Sequence, residues 1–301
     1  MRHPLGRELW YKRAVVYAID VGLYQDGNGD GIGDFIGLAG RLDHLASLGI
    51  TCLWLLPFYP TPNRDNGYDV VDHFGVDSRL GTPGDFAEFM RQAEARGIRV
   101  LLDLVVHHTS DEHPWFRTAR SDRRSPCHDY YVWDDDPSDH AIETIFPGVV
   151  ERAWTRVEEV GQYYRHIFYP FEPDLDILNP EVREQILLIM GYWLGVGAAG
   201  FRVDAASHLV GRQPLAGGDE EPHRLLRELR DFVAARHGDA ALLGETDVSP
   251  DELVTYFGDG NELHMLFNFL LDNYLFLAFA RQEAEPIARA LHLLPNKPEI
   301  G

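Results

Sequence analysis

Six short apolar runs, rich in β-branched and aromatic residues, recur along the chain, and each leads through a loop into a stretch of helical periodicity. The runs are "AVVYAID" (14–20), "TCLWLLP" (51–57), "RVLLDLVV" (99–106), "GFRVDA" (200–205), "ALLGET" (241–246) and "LHMLFNF" (263–269). Between and after them, "FIGLAGRLDHLASLG", "PGDFAEFMRQAEARG", "PEVREQILLIMGYWLGVG", "RLLRELRDFVAARHG", "LLDNYLFLAFARQ" and "PIARALHLL" carry apolar residues at i, i+3 and i+4. Pro83 and Pro180 stand at helix starts, and Gly49, Gly97 and Gly238 at helix ends, as capping asymmetry requires. Strand and helix in alternation predict an α/β fold built on a parallel sheet.

One interval breaks this rhythm. From about 109 to 179 the chain is rich in aromatics, Pro, Asp and Arg, with no clear βα unit. A stretch that long inside a compact domain is a functional loop or a small subdomain. It is read as an insertion after the third strand, dividing the chain into a barrel part, 1–108 and 180–301, and an inserted small domain, 109–179.

Bulk properties exclude several classes of function. Lys and Arg number 27 against 48 Asp and Glu, and a formal charge of −21 opposes contact with a phosphate backbone, so no nucleic-acid partner is expected. The first residues, "MRHPLGRELWYKRAVV", contain no apolar core of a leader, and no window reaches the roughly 18 apolar residues of a membrane span. A soluble, cytoplasmic protein is expected. Cys52 and Cys127 are far apart in sequence and suggest neither a disulfide nor a metal spacing.

The stretch "QDGNGDGIGD" (25–34) alternates oxygen side chains with glycine, as a calcium loop does. An EF-hand would need Glu at the twelfth position from Asp26 and a helix on each side, but that position is Gly37 and a strand precedes the loop. This rules out a calcium sensor of that type. There remains a hard-cation site, with Asp26, Asn28, Asp30 and Asp34 as side-chain ligands and the Ile32 carbonyl as a fifth, or else an Asp/Gly turn that binds nothing.

Three runs carry a carboxylate at or near their ends, where the apolar strand gives way to a loop: Asp103, Asp204 and Glu245. In a parallel βα barrel, strand ends face the rim where catalytic groups sit, although an Asp after a strand is also an ordinary cap or turn former. Arg202 lies two residues before Asp204 and so on the same face of its strand, where it can hold that carboxylate ionised. Glu245 is the candidate for a protonated partner, through burial and a neighbouring negative charge. An anionic and an acidic carboxyl on neighbouring strand ends suit cleavage of a glycosidic bond with retention. Tyr68 could stack on a sugar ring, and Asp69 and His108 could bond its hydroxyls.

In this order, "GITCLWLLPFYP…NGYD", "DLVVHHTS", "PDLD", "GFRVDAASH" and "LLGET" resemble the motifs of the α-amylase family of retaining glycoside hydrolases and transglycosylases, over essentially the whole chain. The loop "DGNGDGIGD" and the "PDLD" segment, close to the "QPDLN" type, point to its trehalose synthase and oligo-1,6-glucosidase branch. The resemblance implies a TIM (β/α)8-type barrel with a small domain inserted after strand three and a structural calcium ion. It assigns Asp204 as nucleophile, Glu245 as general acid/base and Arg202 as the nucleophile's partner. Tyr68, Asp69, His108 and His208 become the set around the nonreducing glucose. The implied substrates are maltose-like α-glucosides, hydrolysed or converted as by a trehalose synthase.

Two departures stand out. His107 occupies the position where the family carries Asn before its motif histidine. The seventh-strand Asn-His-Asp, source of a third carboxylate, does not follow Glu245, so the barrel is read as truncated after about six βα units. Such a chain would need the missing part of the barrel as partner, or would self-associate. A catalytically impaired sugar-binding fragment is the alternative to an active enzyme.

Overall fold

The computed structural model describes residues 9–139, 144–211 and 223–294. Residues 1–8, read above for a leader, and 140–143 of the interrupted interval lie outside the described residues.

The six apolar runs all form strands. They are β1 (Val16–Ile19), β2 (Cys52–Leu55) and β3 (Arg99–Leu104), then, after a small second sheet of β4 (Trp133–Asp134), β5 (Trp154–Val157) and β6 (Gln162–Arg165), β7 (Gly200–Val203), β8 (Ala241–Gly244) and β9 (Met265–Leu266). The strand order of the larger sheet is β1-β2-β3-β7-β8-β9, sequential once the small sheet is set aside, as in an α/β barrel interrupted after its third strand. The β1–β2, β2–β3 and β8–β9 ladders are parallel. β7 and β8 are buried at every position, the pattern of parallel strands covered on both faces. β1 stands at one end of the order, and its Val16 and Tyr17 are 38% and 43% exposed.

By contacts the described chain divides into two compact units, Met1–Phe201 and Arg202–Gly301. The first unit is centred on an aromatic cluster. Phe58 stacks on Phe86 at 4.9 Å, Phe35 meets both edge-on, and Trp193 closes the group from helix Pro180–Val196. These rings are at most 2% exposed, and each aromatic pair contributes about 1 kcal/mol beyond its burial. The indole Nε1 of Trp193 donates to the His73 carbonyl at 2.8 Å, so its burial leaves no unpaired donor. The small antiparallel sheet, in the order β4-β6-β5, also belongs to this unit and falls within the interval 109–179.

Helix starts follow the sequence punctuation. Thr82 caps helix Pro83–Ala95 in a reciprocal box with Asp85, and Asn179 caps helix Pro180–Val196, each with proline in the first turn. The stretch 35–49, expected as one helix, forms two, Phe35–Gly40 and Leu42–Ser47, broken at Arg41. Gly37 and Gly40 weaken it from within. Gly37 is there for another reason: a Cβ on it would stand 2.1 Å from the Gln25 carbonyl, so only glycine lets the loop 25–34 fold against this helix.

In the second unit, helix Arg224–Arg236 buries Leu225, Leu226, Leu229 and Val233, and helix Phe269–Arg281 packs on helix Glu285–Leu293. Among the described residues no helix is long and apolar enough to cross a membrane.

Candidate active site

In the second unit, three of the expected residues meet. β7 leaves the sheet at Asp204, and the next residue, Ala205, adopts φ +46°, a left-handed conformation that costs a non-glycine residue about 1 kcal/mol. That turn points the Ala205 amide at Glu245, whose Oε2 accepts it at 3.2 Å. Glu245 follows β8, and its own amide donates to the Val203 carbonyl. Arg202 joins the two acids, with Nη1 2.5 Å from Asp204 Oδ1 and Nη2 2.7 Å from Glu245 Oε2. One guanidinium therefore holds two carboxyl groups side by side. From the sequence, Glu245 is expected to be buried beside the negative charge of Asp204, with Arg202 serving Asp204 alone. Instead its side chain is 34% exposed and shares the counter-charge of Asp204. His208 lies half-buried on helix Ala206–Gly211, one turn beyond Asp204.

The sugar-binding candidates Tyr68, Asp69 and His108 belong to the first unit and meet there. The Tyr68 hydroxyl donates to Asp103 Oδ2, at 3.2 Å, which also accepts from the Trp54 indole. His108 places Nε2 3.3 Å from the Tyr68 carbonyl. It is fully buried, which pushes its pKa down to about 3 and keeps the ring neutral. Asp69 is also fully buried, and its oxygens accept from Thr61, from the Arg64 amide and guanidinium and from the Asp65 amide. Arg64 also pairs with Asp111 and stacks over Phe171 at 4.4 Å. His107, which replaces the family's Asn, is buried with Nδ1 3.5 Å from Asp174. Asp174 in turn holds the buried Arg165 at 2.7 Å.

The five calcium candidates share one loop, exposed at Asn28, Asp30 and Ile32 and buried at Asp34. Asp26 accepts amides from Asn28, Gly29 and Gly31, which hold its carboxyl below the usual carboxylate range. Asn28 accepts from Asp30, and Asp30 from Ile32. Asp34 caps helix Phe35–Gly40 through Gly37 and also takes the Gly27 and Asn28 amides. As hard oxygen donors these groups suit calcium. In this structure, however, their oxygens turn to the loop's own amides, and among the described residues no three His, Cys, Asp or Glu side chains converge on a metal position.

Residues 22–293 match the family model described as "Alpha amylase, catalytic domain". The chain belongs to the α-amylase catalytic domain family. A trehalose synthase of Pimelobacter is 41% identical over 98% of this chain and 54% of its own length. A glucan 1,6-alpha-glucosidase of Streptococcus pneumoniae is 40% identical over 87% of the chain and 49% of its own. Among solved structures, the trehalulose synthase MutB superposes with TM-score 0.82 at 33% identity, covering 93% of this chain and 55% of that one. The trehalose-6-phosphate hydrolase of Bacillus licheniformis gives 0.79 at 34% identity, over 87% and 50%. The chain spans about half the length of the curated relatives it matches.

In this α-amylase family chain, sequence reasoning missed three participants. Ala205 carries no signal beyond its place after a strand-end Asp. Arg64 lies in the polar loop "TPNRDNGYD", where nothing marks it as the partner of Asp69. Glu172, immediately before "PDLD", is 0% exposed and was visible only as a motif neighbour.

Proposed function

We propose that this chain carries the nucleophile and the general acid/base of a retaining enzyme acting on α-glucosidic bonds of maltose-like substrates, in the manner of a trehalose synthase. The observation that carries the reading is the single guanidinium of Arg202 holding both Asp204 and Glu245. The relatives named trehalose synthase support the substrate class.

The chemistry follows from the two carboxyls. Asp204 attacks the anomeric carbon, forming a glucosyl ester as the glycosidic C–O bond breaks, and Glu245 gives its proton to the leaving oxygen. Because Glu245 Oε2 accepts from Arg202 and from the Ala205 amide, the transferable proton belongs on Oε1. Water, or another hydroxyl of the released glucose, then attacks the ester and returns its proton to Glu245. Hydrolysis results in the first case and transglycosylation in the second, according to how well the pocket excludes water. Tyr68, Asp69, His108 and His208 are proposed as the set around the nonreducing glucose. Asp69 must exchange a bond to Arg64 or Thr61 for one to sugar.

Three further readings belong to this proposal. The loop 26–34 takes a structural calcium ion through Asp26, Asn28, Asp30, Asp34 and the Ile32 carbonyl, after turning oxygens away from backbone amides, and supplies fold stability rather than chemistry. Further polypeptide of the barrel supplies the third carboxylate that steadies the oxocarbenium-like transition state. The two cysteines, both free, suit a reducing cytoplasm.

Trapping with a fluorinated glucosyl reagent, followed by peptide mass analysis, tests the assignment. A label on Asp204, lost in Asp204→Asn, is expected. A label on another residue with Asp204 untouched would overturn it.

A further inference from the structure

Glu172 is a buried acid that the mechanism above does not use. It is 0% exposed, and among the described residues the side chain facing its carboxyl at hydrogen-bonding range is another acid, Asp65. The groups around it are mostly acidic or neutral. Asp65 and Asp69 face it as carboxylates, and Tyr169 sits beside it. His108, neutral through burial, comes within 3.8 Å through Nε2. Arg64, the cation that lies against Asp69, is held by Asp69 and Asp111. A charged carboxylate here, set against the carboxylates of Asp65 and Asp69, would bear the cost of desolvation and of like-charge repulsion, and both are relieved when it takes up a proton.

We infer that Glu172 is a positioning residue of the sugar-binding set, present as the neutral acid, whose O–H is shared with Asp65 and whose contact fixes the ring of His108. Burial, then the charges of Asp65 and Asp69, push its pKa up to about 9, and burial raises Asp65 as well. The sequence agrees. Residues 172–176, "EPDLD", resemble the "QPDLN" type, in which the first position is an amide. A protonated carboxyl has the shape of that amide and, like it, sets a donor group beside an acceptor oxygen, with one hydrogen to give where the amide has two. The proton therefore lets a glutamate do what glutamine does. His108 Nε2 lies between the Tyr68 carbonyl and Glu172 Oε1. An ionised Glu172 would draw the N–H away from Tyr68 and turn the ring.

This inference rests on the reading of Tyr68, Asp69 and His108 as sugar-binding, and the test separates the two. Maltose affinity of the 301-residue chain is measured by calorimetry across pH, together with the infrared carbonyl band of a neutral carboxylic acid. The band should be present at neutral pH, absent in Glu172→Gln, and lost from the parent as pH rises through about 9. Above that transition, affinity should fall by about tenfold per pH unit. Glu172→Leu should weaken binding by about tenfold at neutral pH, the worth of one buried hydrogen bond. Glu172→Gln should rescue that loss and remove the alkaline limb. Binding without the band, or an unchanged alkaline limb in Glu172→Gln, would overturn the inference and leave the sugar site standing. A band without maltose binding at any pH would overturn the sugar-site reading and the coupling with it.

Discussion

Arg202 sets its Nη2 2.7 Å from Glu245 Oε2 while its Nη1 holds Asp204, so a residue read as the partner of one carboxylate serves two. A lysine cannot do this, because an ammonium is a point charge without the planar fork. Arg202→Lys should cost one charge-assisted bond of about 2 kcal/mol, or roughly thirtyfold in the rate of glucosyl-enzyme formation. Labelling kinetics with the fluorinated reagent check it, and an unchanged rate would mean that the second contact is idle.

Ala205 stores strain at the same place. Ala205→Gly removes the penalty of a Cβ at φ +46° and should raise stability by up to about 1 kcal/mol, partly offset by glycine's greater unfolded-state entropy. Denaturant unfolding reads this. A clear loss of stability would show that the buried methyl contributes more than the strain costs.

The Arg165–Asp174 pair is 4% and 0% exposed, and Asp174 also accepts the Ile167 amide. Asp174→Ala leaves a buried guanidinium without its bonded carboxylate, with only the charge of Asp176 acting on it from further off, and should destabilise by about 3 kcal/mol. The double variant Arg165→Leu with Asp174→Leu should recover most of that loss, since it buries no charge. Equal losses in the single and double variants would locate the cost in packing instead.

Acid should unfold the chain well above the carboxylate range. Burial pushes His73 and His166 down to about 4, and His108, His113 and His264 down to about 3. Below pH 6.5 the unfolded chain takes up protons that the folded chain refuses. Stability is therefore full above 6.5 and falls as pH drops through that window. Glu172 has the opposite sign. Its pKa is raised from 4.5, so its contribution is full below 4.5 and declines toward about 9. Urea midpoints across pH should fall steeply below 6.5. Substituting Phe for His113, which leaves one fewer group to protonate, should shallow that slope.

Calcium, if it takes the loop 26–34, should raise the unfolding temperature by mass action, with a shift that grows with ion concentration. Asp30→Ala should abolish the shift, because Asp30 spends its oxygen on a single exposed amide and has the most capacity left for a cation. An equal shift in parent and variant would remove the site.

The sequence by itself determined the alternation of strands and helices, the helix starts at Pro83 and Pro180, the break in the βα rhythm after the third strand and the strand-end positions of Asp204 and Glu245. All of these depend on neighbouring residues. A run buried on both faces must be apolar throughout, a helix must repeat its apolar face every three or four residues, and a strand end shows where that run stops. Only the tertiary structure decided which charges meet. Arg202 reaches Glu245 from the preceding strand, and Arg64 crosses from its loop to Asp111, in both cases over more than forty residues. It also decided that Asp69 turns inward and that Glu172 is buried without a counter-ion. Burial and pairing depend on distances between segments remote in the chain, and no local pattern of residues records them.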